Sequence, residues 1–221
     1  MTALMFVFSK DSVVIGMDTL AVLPDDKSPH KYASKAFMLP HLGAVICGTG
    51  VFQLPLDWYV DIQSNLIARD MDFMNEIAPD RLRQIWSRIG APGTSTVYHF
   101  GYSPGEDAYV GYAFRSTNDF IGERLEYGIG IKPALDELIT IAGEMVDEPD
   151  ICAVIVSLIE SARALDDNLP VDDRVGIGGE IHLLTLTAGR QIGWVVRPWP
   201  DFESLYDQML DALGKSNAMA E

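Results

Sequence analysis

The sequence contains very little cysteine. Its two cysteines, Cys47 and Cys152, are too few for a disulfide framework, and neither belongs to a Cys-x-x-Cys pair. Each lies in an apolar stretch, which is where buried free thiols are commonly found. This usage argues against a disulfide-stabilised domain and favours a protein of a reducing compartment.

Basic residues are also scarce. The 221 residues include 16 Lys and Arg against 32 Asp and Glu, which gives a formal net charge of −16. Such a chain repels phosphate backbones and anionic lipids, so we expect neither a nucleic-acid partner nor a membrane partner. The apolar run Leu4–Phe8 follows no basic residue and is too short for a signal peptide or a membrane span. The sequence therefore predicts a cytoplasmic protein.

Motifs for metals and cofactors are missing as well. The four histidines share no metal-ligand spacing, and we expect His99 and His182, in predicted strands, to be satisfied core or rim residues. The glycine-rich stretches 128–130 and 176–179 lack the Gly-x-Gly-x-x-Gly pattern of a dinucleotide site. We therefore expect no metal and no cofactor.

The composition is that of one globular domain. Apolar residues make up 48% of the chain and charged residues 22%, close to the globular average. A chain of this length buries roughly 70% of the surface that its unfolded form exposes. No linker, repeat or low-complexity segment divides the sequence. We expect a single domain over residues 1–221, with a flexible polar tail from about residue 215.

Hydrophobic periodicity predicts an alternation of strands and helices. Strands are expected at residues 2–9, 13–15, 33–39, 43–47, 95–102, 108–115, 124–128, 179–187 and 191–196. Helices are expected near residues 58–66, 79–89, 133–142, 149–162 and 202–209. Because each of the first two helix pairs must cover one face of a sheet, this order predicts an α+β fold, a four-layer α-β-β-α sandwich.

Three short segments carry chemically useful residues at recognisable spacings. Thr2 is followed sixteen residues later by Asp18, Lys35 opens one strand-like segment, and Gly48 lies where the next one ends. Late in the chain, Gly178-Gly179 precedes another strand. Together with the order of elements, these segments resemble the proteasome β-subunit and HslV family of N-terminal nucleophile hydrolases over roughly residues 2–198.

The resemblance implies a threonine-type hydrolase that cleaves an amide bond in a peptide or a small amide. Thr2 would be the nucleophile once Met1 is removed, with its own free α-amino group as the base. Lys35 would lower the pKa of that amine by like-charge repulsion, and Asp18 would keep Lys35 charged and oriented. Backbone N–H groups around Gly48 would stabilise the oxyanion of the attacked carbonyl.

The sequence departs from the family pattern at two places. Ile129 stands where the family has a serine within Gly-Ser-Gly. In the family's late Asp-x-x-Ser-Gly-Gly, Arg174 stands for the Asp and Ile177 for the Ser, with Asp173 one position away. Two polar supports of the terminal amine are thus replaced by isoleucines. These departures favour the alternative of a catalytically inactive proteasome-fold protein that serves as a ring or scaffold subunit.

Two structural expectations follow. Lys35 and Asp18 should form a partly buried ion pair beside the N-terminus. A homo-oligomer is expected because the resemblance implies rings, and because large aromatic residues on the first helix pair either pack on the sheet or form an interface (Trp58, Tyr59 and Trp86). Whether an unfoldase partner exists is left open by the sequence.

Overall fold

The computed structural model describes residues 2–23, 25–145 and 148–218. Its helices are α1 (Gln53–Asn65), α2 (Met71–Ile89), α3 (Asp136–Glu144), α4 (Ile151–Asp167) and α5 (Phe202–Ala218). Its strands are β1 (Leu4–Phe8), β2 (Ser12–Asp18), β3 (Leu20–Val22), β4 (Pro29–Tyr32), β5 (Ala36–Leu39), β6 (Ala44–Thr49), β7 (Thr96–Ser103), β8 (Ala108–Arg115), β9 (Gly122–Arg124), β10 (Gly128–Lys132), β11 (Glu180–Thr187) and β12 (Arg190–Pro198).

The strands form three antiparallel sheets. The first has the order β10-β1-β2-β11-β12, the second β5-β6-β7-β8-β9, and the third is the two-stranded ribbon β3-β4. One apolar cluster joins residues of the first and second sheets, including Phe6 and Phe100, whose rings lie 4.8 Å apart. A second cluster joins the second sheet to α1 and α2, and a third joins the first sheet to α3 and α4.

The predicted four-layer α-β-β-α sandwich is wrong as a description of this fold, because the described residues form three antiparallel sheets and five helices. The polar, proline-containing segment 23–30 predicts a loop. In the structure, the residues on either side of residues 23–28 pair as the antiparallel strands β3 and β4. A long-range contact holds this ribbon: the Tyr32 ring stacks on Phe202 of α5 at 4.4 Å, and its hydroxyl donates to the Phe202 carbonyl. That contact joins residues 170 positions apart, so local sequence could not reveal it.

Helix boundaries also differ from the predicted ones. α2 begins eight residues before Pro79, because the Asp70 carboxylate accepts from the Phe73 N–H at 2.9 Å and caps the first turn. Asp150 caps α4 in the same way through Ala153. The tail expected from about residue 215 is helical as far as Ala218, and residues 219–221 lie outside the described residues, as does Met1. No helix among the residues the structure describes is both long enough and apolar enough to cross a membrane.

The large aromatic residues of the first helix pair all pack in the apolar cluster between α1, α2 and the second sheet. Trp58 is fully buried, Tyr59 stacks on Phe37 at 4.9 Å, and Trp86 meets the edge of Phe120 at 6.2 Å. Of the two uses considered for these aromatics, packing on the sheet is therefore the correct one. They give no support to an interface through α1 and α2.

A buried polar group anchors α1 and α2 to the second sheet. The Trp58 indole N–H donates to His99 Nε2 at 2.8 Å, so His99 carries its proton on Nδ1, which donates to Asn75 Oδ1 at 2.8 Å. As expected from the sequence, His99 is a satisfied core residue. Burial lowers the pKa of His99 to about 3, which keeps the ring neutral near pH 7.

We expect His99 to make stability depend on pH. Its folded pKa lies below the unfolded value of about 6.5, so its contribution is complete above pH 6.5 and is lost as pH falls toward 3. Between pH 7 and pH 5 the free energy of unfolding should fall by about 2 kcal/mol through this residue. Urea unfolding at both pH values measures the loss. His99→Gln, which keeps a donor and an acceptor, should lose about 2 kcal/mol less; an equal loss in both proteins would contradict the prediction.

Candidate active site

The Asp18 carboxylate lies at the centre of the candidate site. Asp18 ends β2, an inner strand of the first sheet, and its side chain is fully buried. Lys35 Nζ lies 2.9 Å from each oxygen of the Asp18 carboxylate. The backbone N–H groups of Ala3 and Gly178 also donate to this carboxylate, at 3.0 and 3.2 Å. The carboxylate therefore joins the chain start, the residue before β5 and the loop before β11.

Lys35 is buried with its partner, and the ion pair expected from the sequence is present. It immediately precedes β5, and its ammonium also donates to the Leu20 carbonyl at 2.6 Å. The three ammonium protons thus have three acceptors, the two Asp18 oxygens and this carbonyl. A buried charged pair is tolerated when its remaining hydrogen-bonding capacity is satisfied in this way.

Burial opposes both charges of the pair. It raises the pKa of Asp18 and lowers the pKa of Lys35, while the attraction between the two groups acts against both shifts. A lysine whose ammonium is destabilised gives up a proton more readily than one in water. It can therefore take part in proton transfer and can also act as a fixed positive charge.

Thr2 is brought to this pair by the register of the first two strands. In the antiparallel pairing of β1 with β2, Leu4 lies opposite Met17, so the chain start runs past the end of β2. The Ala3 N–H bond to Asp18 fixes the backbone immediately after Thr2, and Thr2 itself is buried. The sequence spacing of sixteen residues thus corresponds to a close approach in space.

Asp166 is a buried carboxylate in the last turn of α4 that the sequence reading missed. It accepts hydrogen bonds from three consecutive backbone N–H groups, those of Val175 at 2.6 Å, Gly176 at 2.9 Å and Ile177 at 3.4 Å. A carboxylate is disfavoured at the negative end of a helix, so its presence there was the available signal. The three bonds fix the loop that leads into β11.

The same loop continues directly to the ion pair. The Gly178 N–H donates to Asp18, and the Gly178 carbonyl accepts from Thr19 at 3.2 Å and Leu20 at 2.9 Å. At Gly179 the backbone has φ of +82°, and a Cβ there would lie 2.4 Å from Thr19 Oγ1. Glycine is therefore required here. Asp166 and Asp18 together accept hydrogen bonds from the four successive N–H groups of residues 175–178.

The residues that depart from the family pattern have structural roles. Arg174 donates to the carbonyls of Asp167 at 2.7 Å and Leu169 at 2.8 Å, Ile177 is buried in the apolar cluster under α4, and Asp173 is exposed. Asp173 therefore does not substitute for a buried carboxylate. Asp166 is the carboxylate that binds this loop.

Ile129 lies away from the chain start. It is exposed in β10 opposite Val7, five residues along β1 from Thr2, which is about 17 Å at 3.3–3.4 Å per residue. The interpretation that Ile129 replaces a polar support of the terminal amine is therefore wrong. The register of β10 against β1, which sequence cannot specify, places this residue elsewhere.

Gly48 lies in β6, paired with Val97 of β7. A Cβ on Gly48 would lie 2.8 Å from Pro55 Cγ of α1 and 3.1 Å from the Thr96 carbonyl. Close packing therefore requires glycine at this position, whether or not Gly48 has a catalytic role. Its predicted role as an oxyanion donor stays a prediction.

Two cavities open between the sheets at different ends. A cavity of about 250 Å³ is lined by Ser34 and Ala36, which flank Lys35, together with His182 and Trp194. A larger one of about 800 Å³ lies at the β1–β2 turn, at the end of these strands remote from Asp18. The smaller cavity adjoins Lys35, and a further cavity of about 180 Å³ is lined by Leu20, Asp166, Gly176 and Ile177. Among the described ranges, no group of three or more His, Cys, Asp or Glu side chains is placed to hold a metal ion.

Comparison with known proteins finds likeness only in three dimensions. No protein-family model matches the chain, and no curated protein matches it in sequence. The Gly-1 mutant of Anbu from Hyphomicrobium sp. strain MC1 superposes with a TM-score of 0.62 at 15% identity, over 98% of this chain and 96% of that one. The Anbu complex from Pseudomonas aeruginosa, described as a helical assembly, gives 0.63 at 11% identity, over 99% and 96%.

At these identities the likeness shows the fold alone, and it supports a proteasome-like fold. The predicted membership of the proteasome β-subunit and HslV family is wrong, because these two similar structures are Anbu proteins. The reason lies in the kind of signal used. The resemblance rests on only a few positions: a threonine, an aspartate, a lysine and a glycine pair. So few positions can indicate a shared fold, but they do not distinguish one family with that fold from another.

Proposed function

We propose that this protein is a hydrolase that uses Thr2 as an N-terminal nucleophile to cleave amide bonds in peptides or small amides. The observation that carries the proposal is the buried Lys35–Asp18 pair, bonded to the N–H of Ala3 directly after Thr2. A buried charge pair in a core is costly and is concentrated at functional sites more often than elsewhere. Here it adjoins a residue that supplies both hydroxyl and base once it is N-terminal.

The reaction begins after Met1 is removed, which frees the α-amino group of Thr2. This amine takes the hydroxyl proton, and Oγ1 attacks the carbonyl carbon of the amide to form an ester intermediate. The proton passes to the leaving amine, and water then hydrolyses the ester. The positive charge of Lys35 lowers the pKa of the amine toward neutrality, and Asp18 holds Lys35 in place. Backbone N–H groups near Gly48 stabilise the oxyanion.

The alternative is a proteasome-fold protein without catalytic activity. One observation favours it: the three protons of the Lys35 ammonium already have acceptors in Asp18 and the Leu20 carbonyl. Lys35 then has no further proton to donate to Thr2 and can act on the terminal amine only through its charge. The two proposals differ in whether Thr2 is reactive.

We also propose that the protein assembles with copies of itself. The support is the three-dimensional likeness to the Anbu complex of Pseudomonas aeruginosa, whose structure is described as a helical assembly. The proposal concerns self-association, and its experimental test is given with the surface considered below.

We expect an electrophile that reacts with N-terminal threonines, such as a β-lactone, to add its mass to Thr2. Intact-mass spectrometry should first show a chain without Met1, and peptide mapping should then place the adduct. Thr2→Ala should carry no adduct, since it lacks the hydroxyl. Thr187→Ala removes an exposed threonine from the β11–β12 hairpin and should be labelled like the wild type. Retained Met1, or equal labelling of Thr2→Ala, would contradict the hydrolase.

A further inference from the structure

The edge of the first sheet is an exposed apolar strand. β12 pairs with β11 on one side, and within the described residues no strand pairs with its other side. Trp194, Val195 and Val196 are 36–45% exposed, and the strand runs for nine residues. An open edge of this length that carries apolar side chains is a common site of association, because its backbone and its side chains both lack partners.

Helix α5 has one wide apolar face that is only partly covered. Its inner stripe contains Phe202, which stacks on Tyr32, and Met209, which is buried. The adjoining outer stripe consists of Tyr206, Leu210 and Leu213, spaced by four and three residues and 47–57% exposed. An apolar stripe on a helix normally packs against a partner, and the described part of this chain leaves the outer stripe about half exposed.

The charges of the two surfaces are complementary. β12 carries two basic residues, Arg190 and Arg197, and no acidic residue, and Arg197 pairs with Glu160 of α4. Along α5, Glu203, Asp207 and Asp211 recur every four residues and make this helix surface acidic. Complementary charges favour contact between a basic strand and an acidic helix, even in a chain of net charge −16.

The same charges disfavour pairing of β12 with itself. If two copies of β12 paired antiparallel about the Gly193–Trp194 peptide, Arg190 of one copy would lie opposite Arg197 of the other. Like charges directly across an antiparallel pair are destabilising. A contact between two different surfaces, strand against helix, is therefore favoured over a strand-to-strand dimer.

We propose that α5 of one copy docks its outer stripe on β12 of a second copy, with Tyr206, Leu210 and Leu213 against Trp194, Val195 and Val196. Arg190 of the strand then faces the acidic residues of the helix, while Arg197 keeps its pair with Glu160. This inference rests on the proposed self-association and specifies its interface. The stripe spans about 10 Å along the helix and the apolar strand segment about 7 Å, so the two are of similar length.

The test measures the mass in solution of variants by light scattering and sedimentation. Val195→Asp on β12 and Leu210→Asp on α5 should each reduce the wild-type assembly to one chain of 24.3 kDa. Leu213→Asp, at a more exposed position of the same stripe, should act like Leu210→Asp. Ile139→Asp on α3 changes an equally exposed apolar residue elsewhere and should leave the mass of the assembly unchanged. Far-ultraviolet circular dichroism checks that each variant is folded.

Mixing the two interface variants makes the test specific. Val195→Asp retains an intact α5, and Leu210→Asp retains an intact β12, so an equimolar mixture should form particles of two chains and nothing larger. Only folded chains that meet through these two surfaces can do so. A mixture that stays at one chain would overturn the proposed pairing.

The remaining outcomes separate this inference from the proposed function. A wild type that has the mass of one chain over a wide concentration range would overturn both self-association and this interface. A wild-type assembly that survives Val195→Asp and Leu210→Asp would overturn the interface alone. Labelling of Thr2 is measured separately, so neither result bears on the hydrolase.

Discussion

Replacing Lys35 by methionine is expected to lower the free energy of unfolding by about 3–5 kcal/mol and to abolish labelling of Thr2. Methionine keeps most of the volume of the side chain but leaves the Asp18 carboxylate buried without its counter-charge. Leaving one buried charge without its partner lowers the free energy of unfolding by far more than the intact pair contributes to it. The loss of labelling follows because nothing then lowers the pKa of the terminal amine.

Two comparisons isolate the pair. Lys10→Met removes an exposed lysine from the β1–β2 turn and should change stability by about 0.5 kcal/mol or less. The double variant Lys35→Met/Asp18→Asn carries no buried charge at this site, and its amide oxygen can still accept from Ala3. It should therefore be more stable than Lys35→Met alone, although it should remain unlabelled. Urea unfolding measures all four proteins. A double variant less stable than the single one would show that charge is not the cause.

Replacing Asp166 by alanine should lower the free energy of unfolding by about 3–4 kcal/mol, because three backbone N–H groups lose their charged acceptor together. The loop that ends at Gly178 would then keep the bonds of Gly178 to Asp18, Thr19 and Leu20 and those of Arg174 to the Asp167 and Leu169 carbonyls. We expect hydrogen exchange at Val175 and Gly176 to accelerate, and labelling of Thr2 to slow without being lost. Asp166 acts through the loop and is a positioning residue.

Asp167 provides the matched control for this variant. It adjoins Asp166 in sequence, but its side chain is exposed and lies 3.5 Å from Arg163, so Asp167→Ala should cost about 1 kcal/mol or less. Asp166→Asn keeps one acceptor oxygen and should recover part of the lost protection. If Asp166→Ala leaves exchange at Val175 and Gly176 unchanged, the loop is fixed by other contacts and the positioning role is wrong.

The central ion pair was expected from the resemblance to the proteasome β-subunit and HslV family, which places Asp18 and Lys35 beside the chain start. Taken singly, each residue could equally have been an exposed residue at a strand end. His99 was correctly assigned to the core because it lies in a predicted strand, and its two nitrogens have partners there.

The support around the pair was not predictable in this way. Asp166 accepts from backbone N–H groups, which almost any residue type can supply. The residue types at positions 175–177 therefore do not indicate that Asp166 contacts them. Ile129 was misplaced because a motif of three residues fits several registers, and only pairing with β1 selects one. The ribbon of β3 and β4 was missed because Tyr32 and Phe202 meet across most of the chain.

By itself, the sequence determined what each short segment can do: which strands are buried, which helices are amphipathic, and that a threonine, an aspartate and a lysine near the chain start lie at the ends of strands. These properties follow from the chemistry and spacing of neighbouring residues. Only the tertiary structure decided the number of sheets, the register of β10, the binding of the late loop by Asp166 and the exposure of β12 and α5. Those features depend on contacts between distant segments, whose free energy is shared among many residues and is recorded in no single stretch of sequence.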